Sequence, residues 1–477
     1  MSSTDGFGLR VSKGVIAKVV VAAVGLVGSV FFARELGPVG YGLFHTFVAA
    51  ADVLDNPVTG FGVACKKRVS EPEFDAGEVL GAGLLIGTVG SLVVSGAVIL
   101  VEPSVDYFAL RGAGWLLAAV LTGSVLFKMA QHVLAGTGQF GNAVGVDAVR
   151  SLGTIPLQAV FVLAGLGVTG MVYGLTLASV ATVPLVLYVL RVRPRVPSRE
   201  TLRSLWTYAR YSVPNNFVGA TASRIDILLL TGLLGSAAAG DYRVALQLVL
   251  PGTMLSAVMS SGLFAEVSRL ASRESAVDTE VTNNVAFASI VAIPLFFGAL
   301  AMPESLVVTV FGGAYAGAGV LLVGLAVYQV LKTQTTQLAS VVSGQDRPDV
   351  RLAIDATGLL INLVVGVTLA VTVGAIGVVI ATVLVETLKY VLYTYFARQL
   401  TRYDMFPRPL VHQLSAGAVM FVVLDPVHGF VGVRSWVDLA GLIGLGGILY
   451  GLTLVLASDV FLATVRGILA DARDRYG

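Results

Sequence analysis

Apolar stretches of roughly twenty residues, the length that spans the hydrocarbon of a bilayer, recur along this 477-residue chain. The longest polar interruption is Arg191 to Arg210, RVRPRVPSRETLRSLWTYAR, with arginines at 191, 193, 195, 199, 203 and 210 and one acid, Glu200. Each such charge costs a few kcal/mol or more in hydrocarbon, which places the segment at the cytoplasmic face, where it divides the chain in two. Pro194 and Pro197 make its first part extended. From Ser198, an N-cap residue type, Leu202, Leu205, Trp206 and Ala209 fall at helical spacing. That pattern predicts a short helix lying in the interface with its arginines near anionic head groups, or else a solvated linker that only sets topology.

The composition agrees: 56% of residues are hydrophobic and 13% charged, where a soluble domain carries about a quarter charged residues. The chain is therefore an integral membrane protein. A net charge of +2 gives no argument for a nucleic-acid partner, and the single cysteine, Cys65, excludes a disulfide framework or zinc cluster within one chain. The first apolar run ends in Phe32-Ala33-Arg34 without a small-residue cleavage site, so it reads as a retained helix.

The apolar runs predict an all-α integral membrane fold of about 14 transmembrane helices. Inner segments hold Arg10 and Lys13, Lys66 to Arg68, the connector arginines, Arg269 and Arg273, Arg347 and Arg351, Arg398, Arg402 and Arg408, and Arg466, Arg473 and Arg475. Outer segments hold only Arg34, Arg111 and Arg434, which places both termini in the cytoplasm. An internal repeat runs through the chain. Leu36-Gly37 with Gly40-Tyr41 returns as Leu234-Gly235 with Gly240 and Tyr242; Gly136 and Asp147 return as Gly344 and Asp355; Gly167 and Gly170 return as Gly374 and Gly377. An even number of spans per copy predicts two parallel six-helix lobes around a central cavity. The divisions are 1–190 for the N-terminal lobe, 191–211 for the basic connector, 212–398 for the C-terminal lobe, and 399–477 for two appended helices and a cytoplasmic tail.

Three polar stripes mark candidate sites. In the second span Tyr41, His45, Asp52, Asp55, Asn56 and Thr59 share one helical face, and intramembrane carboxylates point to a site unless they only satisfy the backbone freed by Pro57. In the seventh, Ser212, Asn215, Asn216, Gly219, Ser223 and Asp226 share a face, with Arg224 near the middle. In the tenth, Gln329, Lys332, Thr333, Thr336, Gln337 and Ser340 form the third. Lys128, with His132 four residues on, lies in the fourth span, where it either serves a site or snorkels to the inner face. Glu386 and Lys389, one turn apart in the twelfth, suggest an internal ion pair or a function. Lys18, Asp147, Arg150 and Asp355 read as topological.

Two G-x-G-x-x-G strings, at Gly136 and Gly165, join apolar helices and follow no strand, so a dinucleotide site fails on context. No P-loop or H-E-x-x-H motif occurs, and the histidines at 45, 132, 412 and 428 are scattered. The reading is of a transporter with no cofactor and no enzymatic activity, driven by an H⁺ or Na⁺ gradient, the membrane potential or the substrate's own gradient.

Phe31 to Phe47, FFARELGPVGYGLFHTF, and Ser223 to Leu248, SRIDILLLTGLLGSAAAGDYRVALQL, resemble the first and the seventh-to-eighth hairpins of polysaccharide flippases. These belong to the multidrug/oligosaccharidyl-lipid/polysaccharide exporter superfamily. The resemblance rests on Arg34 with Leu36-Gly37, and on Arg224-x-Asp226 with Gly240-x-Tyr242. It implies movement of a polyprenyl-phosphate-linked oligosaccharide from the inner to the outer leaflet of the plasma membrane, for surface polysaccharide or glycoprotein glycan assembly; the repeat and the buried charges suggest that this proceeds by alternating access. Candidate substrate contacts are Arg224, Lys332 and Lys128 for phosphate and Asn215, Asn216 and Gln329 for sugar. Candidate cation-coupling residues are Asp52, Asp55, Asp226 and Glu386. Expected partners are the lipid-linked oligosaccharide, membrane lipids and glycosyltransferases of the same pathway. The alternatives are a multidrug or cation antiporter of the same superfamily and a membrane-embedded glycan polymerase or scaffold.

Overall fold

The computed structural model describes the backbone of residues 3–102, 112–271, 277–458 and 461–462, and their side chains from residue 22 onward, Ala271 excepted. Arg10, Lys13, Lys18, Arg111, Arg273, Arg466, Arg473 and Arg475, used above for topology, have side chains outside the described residues. The described residues form helices, turns and coil, with no strand. Two compact units emerge, Met1–Gly240 and Asp241–Gly477.

In the first unit the helices are α1 (Ser3–Val69), α2 (Ala76–Val101), α3 (Ala113–Gly136), α4 (Phe140–Phe161), α5 (Gly167–Leu190) and α6 (Arg199–Leu234); α7 (Ser236–Val249) begins there and runs on into the second. The second continues with α8 (Pro251–Ala271), α9 (Asp278–Phe287), α10 (Ala292–Ala301), α11 (Pro303–Phe311), α12 (Ala318–Gly344), α13 (Pro348–Val373), α14 (Ala375–Leu400), α15 (Arg408–Val431) and α16 (Trp436–Ala457). Gly37 divides α1 into two crossings, α7–α8 is one span bent by 59°, and α9–α10 is one span broken at Ala288–Val291. With α11 too short to cross, the described residues supply fourteen crossings, as expected.

The repeat is written in the backbone. Gly37 (φ 65°, ψ 179°) and Gly235 (φ 92°, ψ 166°) turn corresponding hairpins in the left-hand half of conformational space, and Gly167 (φ 51°, ψ −130°) and Gly374 (φ 78°, ψ −153°) turn the other matched pair. A side chain at any of these positions strains the turn. The repeat and the packing nevertheless divide the chain differently: α6, the first span of the second copy, packs along α1 within the first unit.

The connector is not a loose linker. Arg195 N–H donates to Gly77 O at 2.9 Å, its guanidinium meets Asp75 at 3.0 Å, and Glu78 Oε2 accepts from Ser198 N–H at 3.0 Å and from the Thr201 hydroxyl at 2.7 Å. Gly81 permits this docking, since a Cβ there would lie 1.8 Å from Arg195 O. Ser198 is the N-cap as expected, but the helix it starts does not stop at the interface. It runs unbroken to Leu234, through Pro214, with Ser212 Oγ donating to Gly60 O at 3.0 Å just before the proline.

The break in the ninth span, read from sequence as one apolar run, has a direct cause. Pro294 carries no N–H, so Ile290 O loses its helical donor, and Tyr450 Oη of α16 supplies one at 3.1 Å. Ile290 N–H turns to Phe287 O, which leaves Ala286 O to Gln413 Nε2 of α15 at 2.7 Å. Gln334 of α12 donates to Val285 O at 3.1 Å and to Ser289 Oγ at 2.7 Å. The two appended helices therefore satisfy a backbone that hydrocarbon would leave unpaired. Gln413→Leu and Tyr450→Phe are each expected to lower stability by about 1–3 kcal/mol. Thermal melts of the purified variants in one detergent check this; a parent-like transition for both would remove that role.

Candidate functional site

The polar face of the second crossing meets α3 and α6 inside the first unit. Lys128 Nζ donates to Asp55 Oδ2 at 2.7 Å and to Asp52 Oδ1 at 3.2 Å, while Arg224 Nη2 donates to Asp52 Oδ2 at 2.8 Å. The charges alternate: Asp55, Lys128, Asp52, Arg224. Their environments differ in a way that separates their roles. The Asp55 side chain is fully buried, whereas those of Lys128 and Arg224 are each 32% exposed and that of Asp52 27%. Asp55 anchors Lys128, and Asp52 bridges two cations that remain reachable.

Lys128 thus does not snorkel. The carbonyl that Pro57 frees is Val53 O; the hydrogen bond of Asp55 goes instead to Lys128, and Asn56 donates its amide to Asp52 O. Toward the other end of the same crossing, Thr46 Oγ1 and Thr231 Oγ1 lie 2.6 Å apart, tying it to α6. His45 packs edge-on against Tyr41, with ring centroids 4.6 Å apart.

On α6, Asn215 is exposed, Asn216 is half-buried and donates to Ser212 O at 2.9 Å, and Asp226 is buried with a partner of its own. Arg224 and Asp226 do not share a direction, as their spacing predicts, because Arg224 turns to Asp52.

In the second unit the expected Glu386–Lys389 pair does not form. Lys332 Nζ reaches Glu386 Oε2 at 3.7 Å, and Lys389 Nζ pairs with Asp355 Oδ1 at 2.7 Å, Arg351 Nε lying 3.7 Å from the other oxygen of that carboxylate. Residues three apart on one helix face outward to different neighbours, α12 and α13, which offer opposite charges at shorter reach. Gly358 leaves room for the Lys389 stem, its Cβ position lying 3.0 Å from Lys389 Cδ. The α12 stripe is largely spent on packing. Gln337 Nε2 donates to Ser256 O at 2.9 Å and Oγ at 2.8 Å, Thr333 Oγ1 lies 2.6 Å from Ser289 Oγ, Ser340 Oγ lies 2.7 Å from Ser260 Oγ, and Gln329 is buried. Among the described residues no group of three or more His, Cys, Asp or Glu side chains could hold a metal ion.

Residues 31–319, more than half the chain, match the family described as polysaccharide biosynthesis protein. The chain belongs to that family. Two relatives from Haloferax volcanii (strain DS2) are similar over most of their length. One is named a probable low-salt glycan biosynthesis flippase, Agl15, 24% identical over 89% of this chain and 90% of its own; the other is a probable flippase, AglR, 24% identical over 96% and 97%. Among solved structures, the lipid II flippase MurJ in an inward closed conformation superposes with a TM-score of 0.75, covering 93% of this chain and 98% of its own at 14% identity. An inward-facing multidrug resistance MATE transporter gives 0.61, covering 79% and 94% at 19% identity. At those identities the two structures speak for the fold alone. The resemblance to polysaccharide flippases of the multidrug/oligosaccharidyl-lipid/polysaccharide exporter superfamily is borne out, as is the multi-pass membrane fold.

The sequence singles out all four members of the charge ladder but not their pairing. It also passes over Asp355 and Arg351 as topological, where the structure joins both to Lys389. The one available signal was the recurrence of Asp147 as Asp355, since Asp147 likewise meets a basic residue, Arg150, at 2.9 Å.

Proposed function

We propose that this protein moves a lipid-linked oligosaccharide, carried on a polyprenyl phosphate or diphosphate, from the cytoplasmic to the outer leaflet of the plasma membrane, with both termini in the cytoplasm. The name of Agl15 and the family description support the glycan, and the names of both Haloferax relatives support a transporter rather than an enzyme. The observation that carries the reading is the Asp52 carboxylate held between two part-exposed cations, at 3.2 Å from Lys128 and 2.8 Å from Arg224. A phosphate presents the same oxygens in a similar bridge and with greater charge, so it competes for that position. The prenyl tail stays in lipid while the head group exchanges sides by alternating access. Asn215, exposed on α6 on the side away from Arg224, is a sugar contact. Glycosyltransferases of the pathway supply the substrate.

Coupling follows from the same bridge. A proton or cation arriving at Asp52 weakens its hold on Arg224 and Lys128, so that anion binding and cation binding favour one another; Asp55, Asp226 and Glu386 are the other carboxylates that take part. Transport unresponsive to pH, Na⁺ and membrane potential would sink this coupling. Asp52→Asn is expected to bind an isoprenyl diphosphate about tenfold more tightly, as expected of one removed ion-pair competitor, while turnover falls. Arg224→Ala lowers both binding and turnover. Translocation of glycan-lipid in vesicles at matched protein density reads this; undiminished activity in Arg224→Ala and Lys128→Ala together overturns the phosphate site. A cation antiporter, the runner-up, draws on Asp52 and Asp55, but both already face cations here.

A further inference from the structure

The arginines of α6 form a single track. Arg199, Arg203, Trp206, Arg210, Phe217 and Arg224 follow one another at steps of four, three, four, seven and seven, which keeps them on one face of an unbroken helix. Exposure follows the same face: Arg199, Arg203 and Arg210 are exposed, Trp206 is 62% and Phe217 40% exposed, and the Arg224 side chain 32%. Up to Ser212 the opposite face, Thr201, Leu205, Ala209 and Ser212, is buried; beyond Pro214, Asn215, Gly219 and Ser223 on that side are exposed as well. At 1.5 Å per residue the track is about 37 Å long, from the cytoplasmic surface to the charge ladder.

Its outer end is built rather than frayed. The first turn is fixed by Glu78 and the N-cap, Trp206 lies over Phe61 with centroids 5.8 Å apart, and the Arg210 guanidinium lies over the Tyr211 ring at 4.7 Å. Arg203 and Arg210 are two turns apart, about 10 Å along the axis, so both guanidinium groups can close on one phosphate or diphosphate above Trp206. The indole between them offers apolar surface at the interface, where a prenyl chain begins.

We propose that Arg203, Trp206 and Arg210 form an inner-leaflet capture site for the phosphate end of an isoprenyl-phosphate lipid, from which the head group passes along the same helix face to Arg224. This rests on the flippase reading above and adds a first binding station to it. An anchor for bulk anionic lipid needs only the arginines; the continuation of the track to Arg224 favours the substrate lipid.

The test uses the full-length protein in nanodiscs of phosphatidylcholine, with dolichyl phosphate as the binding probe and phosphatidylglycerol as the competing lipid. Arg203→Gln with Arg210→Gln is expected to weaken dolichyl phosphate at least tenfold. In vesicles it raises the glycan-lipid density needed for half-maximal translocation while leaving the maximal rate near that of the parent. Arg191→Gln with Arg193→Gln removes the same charge off the track and is expected to change neither by more than about twofold, the scale of a screened surface charge. Equal loss in the two double variants, no loss in the first, or a loss for phosphatidylglycerol as large as for dolichyl phosphate each overturns the capture site. Should the double variant fold poorly, the two single substitutions are read against the same outcomes. A parent protein that binds dolichyl phosphate through Arg203 and Arg210 yet translocates no glycan-lipid overturns the flippase reading while leaving the capture site standing.

Discussion

Lys128→Met is expected to lower stability by about 3–5 kcal/mol, the scale for stranding a buried charge. Asp55 is the reason. Its side chain is fully buried, Lys128 at 2.7 Å is the cation it meets, and its Oδ1 has no hydrogen-bond partner among the described residues. Removing the ammonium leaves a carboxylate that must either stay charged in a dry place or take up a proton. Adding Asp55→Leu to Lys128→Met removes the stranded group and is expected to recover most of the loss, because a buried pair replaced by apolar residues of similar volume is often neutral. Transport stays low in both, since one of the two cations facing Asp52 is gone. Melting transitions of the parent, Lys128→Met and the double variant form the check; a double variant no more stable than Lys128→Met would remove Asp55 from the anchoring role.

The second large effect lies at a crossing of two backbones. A Cβ on Gly42 would sit 1.8 Å from Ser236 O, and one on Gly240 would sit 2.2 Å from Pro38 O. No rotamer relieves a clash with a carbonyl, so the hairpin at Gly37 and the turn at Gly235 would have to part. Gly42→Ala is expected to lower stability by about 3 kcal/mol or more, at or above the upper end for overpacking, because backbone rather than side chain must move. Gly441, whose Cβ position meets nothing within 4 Å, is the control, and its alanine variant is expected to melt like the parent. Folded yield and melting temperature measure both; a parent-like Gly42→Ala would show that the crossing is looser than its distances.

These two sites show what a sequence can and cannot reveal. The polar face of the second crossing is legible because carboxylates in an apolar run are expensive, and Arg224 and Lys128 stand out for the same reason. Which charge meets which is not legible. Glu386 and Lys389, one turn apart, look like partners until α12 and α13 bring Lys332 and Asp355 nearer. In the same way the α12 stripe reads as a sugar surface, yet Thr333, Gln337 and Ser340 are bonded to neighbouring segments. Polar side chains in a bilayer serve packing and function with the same atoms, and local pattern does not separate them.

The sequence by itself determined the number of crossings, the doubled six-span plan and the glycine turns that repeat with it. Those follow from hydrophobic length and backbone conformation, both properties of residues close in the chain. Only the tertiary structure decided that α6 continues from the interface to the charge ladder, that α15 and α16 cap the break before Pro294, and that Asp52 bridges two cations. Each of those depends on which helices lie side by side, and unpaired donors, acceptors and charges find partners by proximity in space.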